Sequence, residues 1–232
     1  MSDRWATFDC YGTLIDWDAG IRAELARVFG EERADAQLRA YHELEPLVEA
    51  DGRLTYREVM TETMRRLGAP AGEAGGLAES LPGWRPFPEV REALTEARRR
   101  GVKLAILSNS DPDLIAASKE QLGVPFDETV VASEIGSYKP APGHWREFAR
   151  RTGADPARHV HVAASLFHDV EPALRLGLPT IWINRLGESA GVRATVELPD
   201  LSGLPDAIDA LVPAETTPPA AAAGGAGRPT RL

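Results

Sequence analysis

Short apolar runs at residues 5–8, 103–107, 129–132, 159–163 and 179–183 are each bounded by turn residues, and patterns of helical period fill the gaps between the later ones. The helices are expected at 88–100, 113–122, 143–152 and 169–176, closing near Gly101, Gly123, Gly153 and Gly177. Strand, helix, glycine, strand is the rhythm of a parallel, doubly wound α/β sheet.

About ninety residues separate the first strand from the second, far more than one crossover helix needs. This stretch carries helical patterns at 18–29, 33–49 and 55–68. Ile21, Leu25, Val28 and Phe29 sit at helical spacing, as do Val59, Met60, Met64 and Leu67, so these stripes are expected to pack on one another. The organisation predicted is a core of residues 1–15 and 86–212 and an inserted helical cap over 16–85. From residue 213 the chain collapses to Pro, Ala, Gly and Thr, a composition that buries too little apolar surface to order itself, so 213–232 is expected as a disordered tail.

Composition narrows the function classes. Hydrophobic residues make up 43% and charged residues 26%, the balance of a water-soluble globular protein. The net charge is −9 and the basic residues form no stripe, so no nucleic-acid partner is expected. The single cysteine, Cys10, excludes an internal disulfide and a Cys-rich zinc site, and points to a reducing, cytoplasmic compartment. No run of about 18 apolar residues occurs, so no membrane span is expected.

The chemistry gathers at strand ends. Phe8-Asp9-Cys10-Tyr11-Gly12-Thr13-Leu14 places a carboxylate where the first strand stops and a glycine turns the chain. Ligands bind at that edge of an open α/β sheet, and a carboxylate held there attacks electrophilic carbon or phosphorus, with Thr13 offering a hydroxyl. The second strand ends in Leu107-Ser108-Asn109-Ser110, suited to a substrate oxygen or a leaving anion. Ser137-Tyr138-Lys139-Pro140 follows the third, placing a positive charge beside Asp9, and Ala164-Ser165-Leu166-Phe167-His168-Asp169 follows the fourth.

These four segments, in this order, resemble the haloacid dehalogenase superfamily over roughly residues 4–212. The resemblance implies a Rossmann-like core with a helical cap closing over the site. Position 11 sorts the subgroup. Phosphatases of the superfamily usually carry a second Asp there, to protonate the leaving alcohol; this chain has Tyr11, a poor acid–base group near neutral pH. Halide leaves without a proton, and the motif is similar to that of the L-2-haloacid dehalogenases. By that resemblance Asp9 displaces halide from a short 2-haloalkanoate, a small-molecule carboxylate, and water near Lys139 and Asp169 hydrolyses the ester to the hydroxy acid. No cofactor or metal is implied. Thr13 and Ser108 would hold the substrate carboxylate, Asn109 the departing halide, and Tyr11 would line the pocket. Dimers are usual in this subgroup.

The sequence departs from the family pattern in three places. Ala164 and Leu166 stand where the family has Ser and Asn, the Asn helping to place the hydrolytic water. Trp145 stands for a substrate-side Tyr. The cap arginine aligns nearest Ala40, with Arg39 one residue away as the candidate to bind substrate and halide. His168 is open to two readings, a general base for the ester or a packed ring where the family has an aromatic. Cys10 reads as a buried structural thiol, Trp17 as an apolar wall of the pocket or hinge, and His159 and His161 as core or strand-end residues. Tyr41, His42, Glu43 and Glu45 lie on a cap helix whose charges mark a solvated face, unless it overhangs the site. Two other functions compete. One is a magnesium-dependent phosphatase, with Asp9, the Tyr11 carbonyl and Asp169 around the metal. The other is a non-catalytic binding protein, for which so many convergent polar groups have no physical need.

Overall fold

The computed structural model describes residues 2–50, 52–189 and 191–214. Most of the tail expected from 213 onward lies outside the described residues. The elements run β1 Arg4–Phe8, α1 Trp17–Phe29, α2 Glu31–Glu49, α3 Tyr56–Arg66, α4 Gly76–Ser80, α5 Val90–Arg99, β2 Val102–Ser108, α6 Pro112–Leu122 and β3 Glu128–Val131. They continue with α7 Ala132–Ile135, α8 Gly143–Thr152, β4 His159–Ala163, α9 Glu171–Arg175, β5 Thr180–Ile183, β6 Val196–Leu198 and α10 Leu204–Leu211.

The strands form one six-stranded sheet in the order β3-β2-β1-β4-β5-β6, every pair parallel, which is the Rossmann-like α/β architecture the strand–helix rhythm implies. Helices cover both faces, so β1 and β4 are buried along their whole length. Two elements escape the periodicity. The edge strand β6 has three residues, too few for a period to register, and the helix expected at 169–176 is a wide π-type turn, Leu166–Val170, running into the short α9.

The chain leaves the core and returns to it at one point. The Asp16 N–H donates to the Arg85 carbonyl at 2.8 Å and the Phe87 N–H to the Leu14 carbonyl at 3.1 Å, beside an antiparallel bridge between Ile15 and Pro86. Between these stems lie α1 to α4. Ile21, Leu25, Phe29, Val59, Met60 and Met64 are buried, with Val28 and Leu67 packed against them. Thr55 and Glu58 start α3 with a reciprocal capping box. The core supplies a second cap: the Asp111 carboxylate accepts from the Tyr56 and Arg57 N–H groups at 3.1 and 3.0 Å. Tyr138 donates to the Leu54 carbonyl. Together these contacts hold the helical segment over the carboxyl edge of the sheet.

Candidate active site

Register decides which side chains meet. Phe8 pairs with Ile106 on one side and Val162 on the other, so β1, β2 and β4 release their next residues at the same edge. A cavity of about 210 Å3 opens there, with Asp9 on its floor beside Ser108, Asn109, Lys139, Ser165, His168 and Asp169.

Lys139 organises the floor. Its Nζ donates to Asp9 Oδ1 at 2.9 Å, to Asp169 Oδ1 at 2.7 Å and to the Leu107 carbonyl at 2.9 Å, which uses all three ammonium hydrogens. Burial disfavours the charged amine, but Asp169 and Asp9 outweigh it and hold Lys139 protonated. The two carboxylates share that ammonium unequally. Burial pushes Asp169 up, yet the Lys139 charge and the His161 and Lys139 hydrogen bonds prevail and hold it at about 2. Asp9 is raised, by burial first and by the Asp169 charge in addition, against the pull of Lys139 and Thr13.

Behind the floor runs a buried polar chain. His161 Nε2 lies 3.0 Å from Asp169 Oδ1; an ionised carboxylate only accepts, so this nitrogen carries the proton. Thr7 Oγ1 bridges His161 Nδ1 at 2.9 Å and His159 Nε2 at 2.7 Å. The two histidines therefore pin Asp169 from inside the sheet. Asp169 Oδ2, buried on the cavity wall, has no partner among the described residues.

Several expected ligands of the substrate are committed elsewhere. Thr13 is fully buried; its Oγ1 donates to Asp9 Oδ2 at 2.9 Å and accepts from the Ala164 N–H at 2.9 Å, so it orients the nucleophile and does not reach the cavity. Asn109 lines the cavity, but its amide clamps the Lys139 backbone, donating to the carbonyl at 2.9 Å and accepting from the N–H at 2.6 Å. Tyr11 contributes its ring, while its hydroxyl pairs with Ser118 Oγ at 3.1 Å. Arg39 and Trp145 are not brought to the cavity. Arg39 is exposed on α2, because one residue of register turns a helix by about 100°. Trp145 is buried against Trp5, Leu107 and Phe148, its ring 5.2 Å from that of His161.

The roof belongs to α2. His42, Glu45 and Glu49, at three- and four-residue spacing, line the cavity with Pro46, and Trp17 and Tyr56 close the side. Glu45 and Glu49 are more than nine-tenths buried. Burial raises Glu45 to about 7; burial and the Glu45 charge raise Glu49 to about 8. Glu49 Oε2 lies 3.5 Å from His168 Nε2, and His168 Nδ1 lies 3.2 Å from Ser165 Oγ. Of these, Glu49 and Tyr56 went unnoticed in the sequence, although the 42, 45, 49 spacing was there to read.

The Lys139 ammonium stands between Asp9 Oδ1 and Asp169 Oδ1, and no group of three metal-ligating side chains occurs among the described residues, so a magnesium ion would have to be held by the other oxygens of these two carboxylates and the Tyr11 carbonyl.

A parallel sheet that gathers an aspartate, a lysine and a threonine at its carboxyl edge, under a helical insert, defines an α/β protein whose candidate active site lies at the sheet edge. The chain belongs to the haloacid dehalogenase-like hydrolase family, whose model matches residues 4–177. It is 31% identical over 214 residues to the (S)-2-haloacid dehalogenase of Pseudomonas sp. (strain YL), covering 82% of this chain and 92% of that one. The phosphoserine phosphatase of Thermus thermophilus is also 31% identical, over 137 residues, 56% of this chain and 55% of that one. The crystal structure of the L-2-haloacid dehalogenase RSc1362 superposes with a TM-score of 0.78 at 24% identity, covering 90% of this chain and all of that one. No described helix is long and apolar enough to cross a membrane.

Proposed function

We propose that the chain is a metal-independent hydrolytic dehalogenase that works through an aspartyl ester on Asp9. One Asp9 oxygen attacks the halogen-bearing carbon, the carbon–halogen bond breaks, and its electron pair leaves with the halide. Both oxygens of Asp9 are held, Oδ1 by Lys139 and Oδ2 by Thr13, on a residue that lines the cavity. Water then adds to the ester carbonyl, the alcohol departs, Asp9 is regenerated and one proton passes to solvent. The His168 ring lines the cavity beside Asp9 and is the acceptor on offer to that water, in a site where Ala164 and Leu166 offer it no side-chain polar group.

The observation that carries this reading is the commitment of Lys139 to both carboxylates, which sets an ammonium against Asp9 and Asp169. Tyr11 supports it, since a leaving alkoxide needs an acid and a leaving halide does not. The relatives make 2-haloalkanoates, released as 2-hydroxy acids, the compounds to try first. The test is Asp9-dependent halide release from L-2-chloropropionate, the corresponding amide and a chloroalkyl cation, with and without EDTA, beside a phosphate monoester with magnesium. EDTA-insensitive halide that disappears in Asp9→Asn supports the proposal; phosphate release without halide overturns it in favour of the phosphatase.

A further inference from the structure

The roof of the Asp9 cavity carries the wrong charge for the substrate that its relatives' names suggest. Its lining holds four carboxyl groups, Asp9, Glu45, Glu49 and Asp169, against one lysine, and no arginine. Lys139 has nothing left to offer, because its three hydrogens are bound to Asp9, Asp169 and the Leu107 carbonyl. Of the groups expected to hold a carboxylate, Ser108 alone lines the cavity, and it carries no charge; Thr13 is turned to Asp9 and Ala164, and Arg39 is exposed. A neighbouring cavity of about 490 Å3, walled in common by Tyr11, Trp17, His42 and Ser165, does contain Arg185. That guanidinium stacks on Phe87 and is bound to Glu89 and to the Thr13 carbonyl at 2.7 and 3.0 Å.

We infer that the cap wall made by Glu45 and Glu49 selects a substrate bearing a positive charge, an ammonium or amidinium group, next to the carbon that Asp9 attacks. This rests on the Asp9 displacement proposed above for the reaction, and adds the class of compound. The fit has three parts. Glu45 and Glu49 are one helical turn apart on α2 and supply two acceptors from one face. The Trp17, Tyr11 and Tyr56 rings wall the same space, and aromatic faces attract cations. Asp169, which lines the cavity, adds a third acidic side chain, whose Oδ2 is buried without a partner. The raised carboxyls of Glu45 and Glu49 fit this role: they hold protons while the roof is empty and release them when a cation arrives. His42 takes no part in the clamp, because its Nε2 pairs with Asp18 at 3.1 Å.

The experiment compares halide release from 2-chloropropionamidine, 2-chloropropionamide and 2-chloropropionate at about pH 8.5, where both glutamates are largely ionised. The cation is expected to have a kcat/KM roughly a hundredfold above that of the anion, the order set by one charge pair in a partly buried site. Glu45→Gln and Glu49→Gln are each expected to lower the cation's kcat/KM about tenfold or more, and by a larger factor than the amide's. A kcat/KM for 2-chloropropionate equal to or above the cation's overturns the inference and leaves the Asp9 chemistry standing. If no compound releases halide, the Asp9 displacement is what fails, and calorimetry on the intact chain at about pH 7 with propionamidine and propionate judges the cap wall alone. Binding of the cation, with proton release and with loss in the glutamine variants, supports it; binding of propionate, or of neither, overturns it.

Discussion

Lys139 Nζ lies 2.9 Å from Asp9 Oδ1 in an ion pair whose lysine side chain is only 1% exposed. Neither partner has another full charge to turn to except Asp169, itself 2.7 Å from the same nitrogen. Replacing the lysine therefore leaves two carboxylates facing each other in a buried site. Lys139→Met is expected to abolish turnover and to lower stability by about 3–5 kcal/mol, the cost of stranding a buried charge. Thermal unfolding measures it, and an acid shift of the variant's stability optimum is the signature, since protonating one carboxyl relieves the clash. An unchanged melting temperature at neutral pH would show that the ammonium does not hold the two acids in place.

Thr13 acts one bond further out. Its hydroxyl is shared between Asp9 Oδ2 and the Ala164 N–H, so it ties the nucleophile to the strand-end loop of β4. Thr13→Val keeps the volume and removes both hydrogen bonds. The orphaned Ala164 N–H and the loosened carboxylate are expected to cost about 1–3 kcal/mol of stability and to slow ester formation more than substrate binding. Thr13→Ser restores the hydroxyl and is expected to recover most of the rate. If the Val and Ser variants have the same kcat, the hydroxyl has no part in aiming Asp9.

Glu49 makes a pH prediction with a definite sign. Its folded carboxyl is raised to about 8 by burial and by Glu45, against about 4.3 for an unfolded glutamate. The folded state thus holds a proton that the unfolded state has lost, and this contribution to stability is full below about pH 4 and disappears as pH rises toward 8. Wild type minus Glu49→Gln is expected to become steadily more unfavourable from pH 5 to pH 8.5, by up to roughly 4 kcal/mol, less whatever water in the cavity relieves. Paired denaturant titrations measure the difference and cancel the opposite trend of buried neutral histidines such as His144, held at about 4 by burial. A flat difference would mean that Glu49 ionises freely in the folded protein.

The sheet and the floor of the site were legible because both follow from strand ends. Asp9, Ser108 and Asp169 each terminate or follow an apolar run, and a parallel sheet brings such residues to one edge whatever the rest of the chain does. Lys139 belongs with them through its position after β3. The roof was not legible. Which face of α2 looks down depends on how the insert docks, through Asp111 on the start of α3 and Tyr138 on Leu54, and neither contact leaves a periodic trace. Glu45 thus read first as a charge on a solvated face, with an overhanging helix as the alternative, although it is buried; Glu49 went unread, and Arg39 read as a ligand although it is exposed. Thr13 illustrates a third limit: its residue type fits a substrate contact and a positioning contact equally well, and only the distance to Asp9 separates them.

Position 11 offers the sharpest test of what separates this chain from a phosphatase. Tyr11 does more than omit an acid. Its ring stacks on Tyr56 at 5.8 Å and meets Trp84 edge-on at 6.1 Å, and its hydroxyl pairs with Ser118, so it joins core to cap. Tyr11→Asp installs the phosphatase residue but takes away that joint and puts a carboxylate among aromatic rings. It is expected to be destabilised by several kcal/mol, in the range for deleting a large buried ring, about 3–5 kcal/mol. It is not expected to gain magnesium-dependent phosphatase activity, because the Asp9 and Asp169 oxygens that a metal would bridge remain bound to Lys139, and Asp169 also to His161. The measurement is phosphate release from a generic monoester across a magnesium titration, beside a melting curve. Magnesium-dependent turnover in the folded variant would show that Lys139 yields the site to a metal once an acid is present, and that the proposed halide chemistry turns on residue 11.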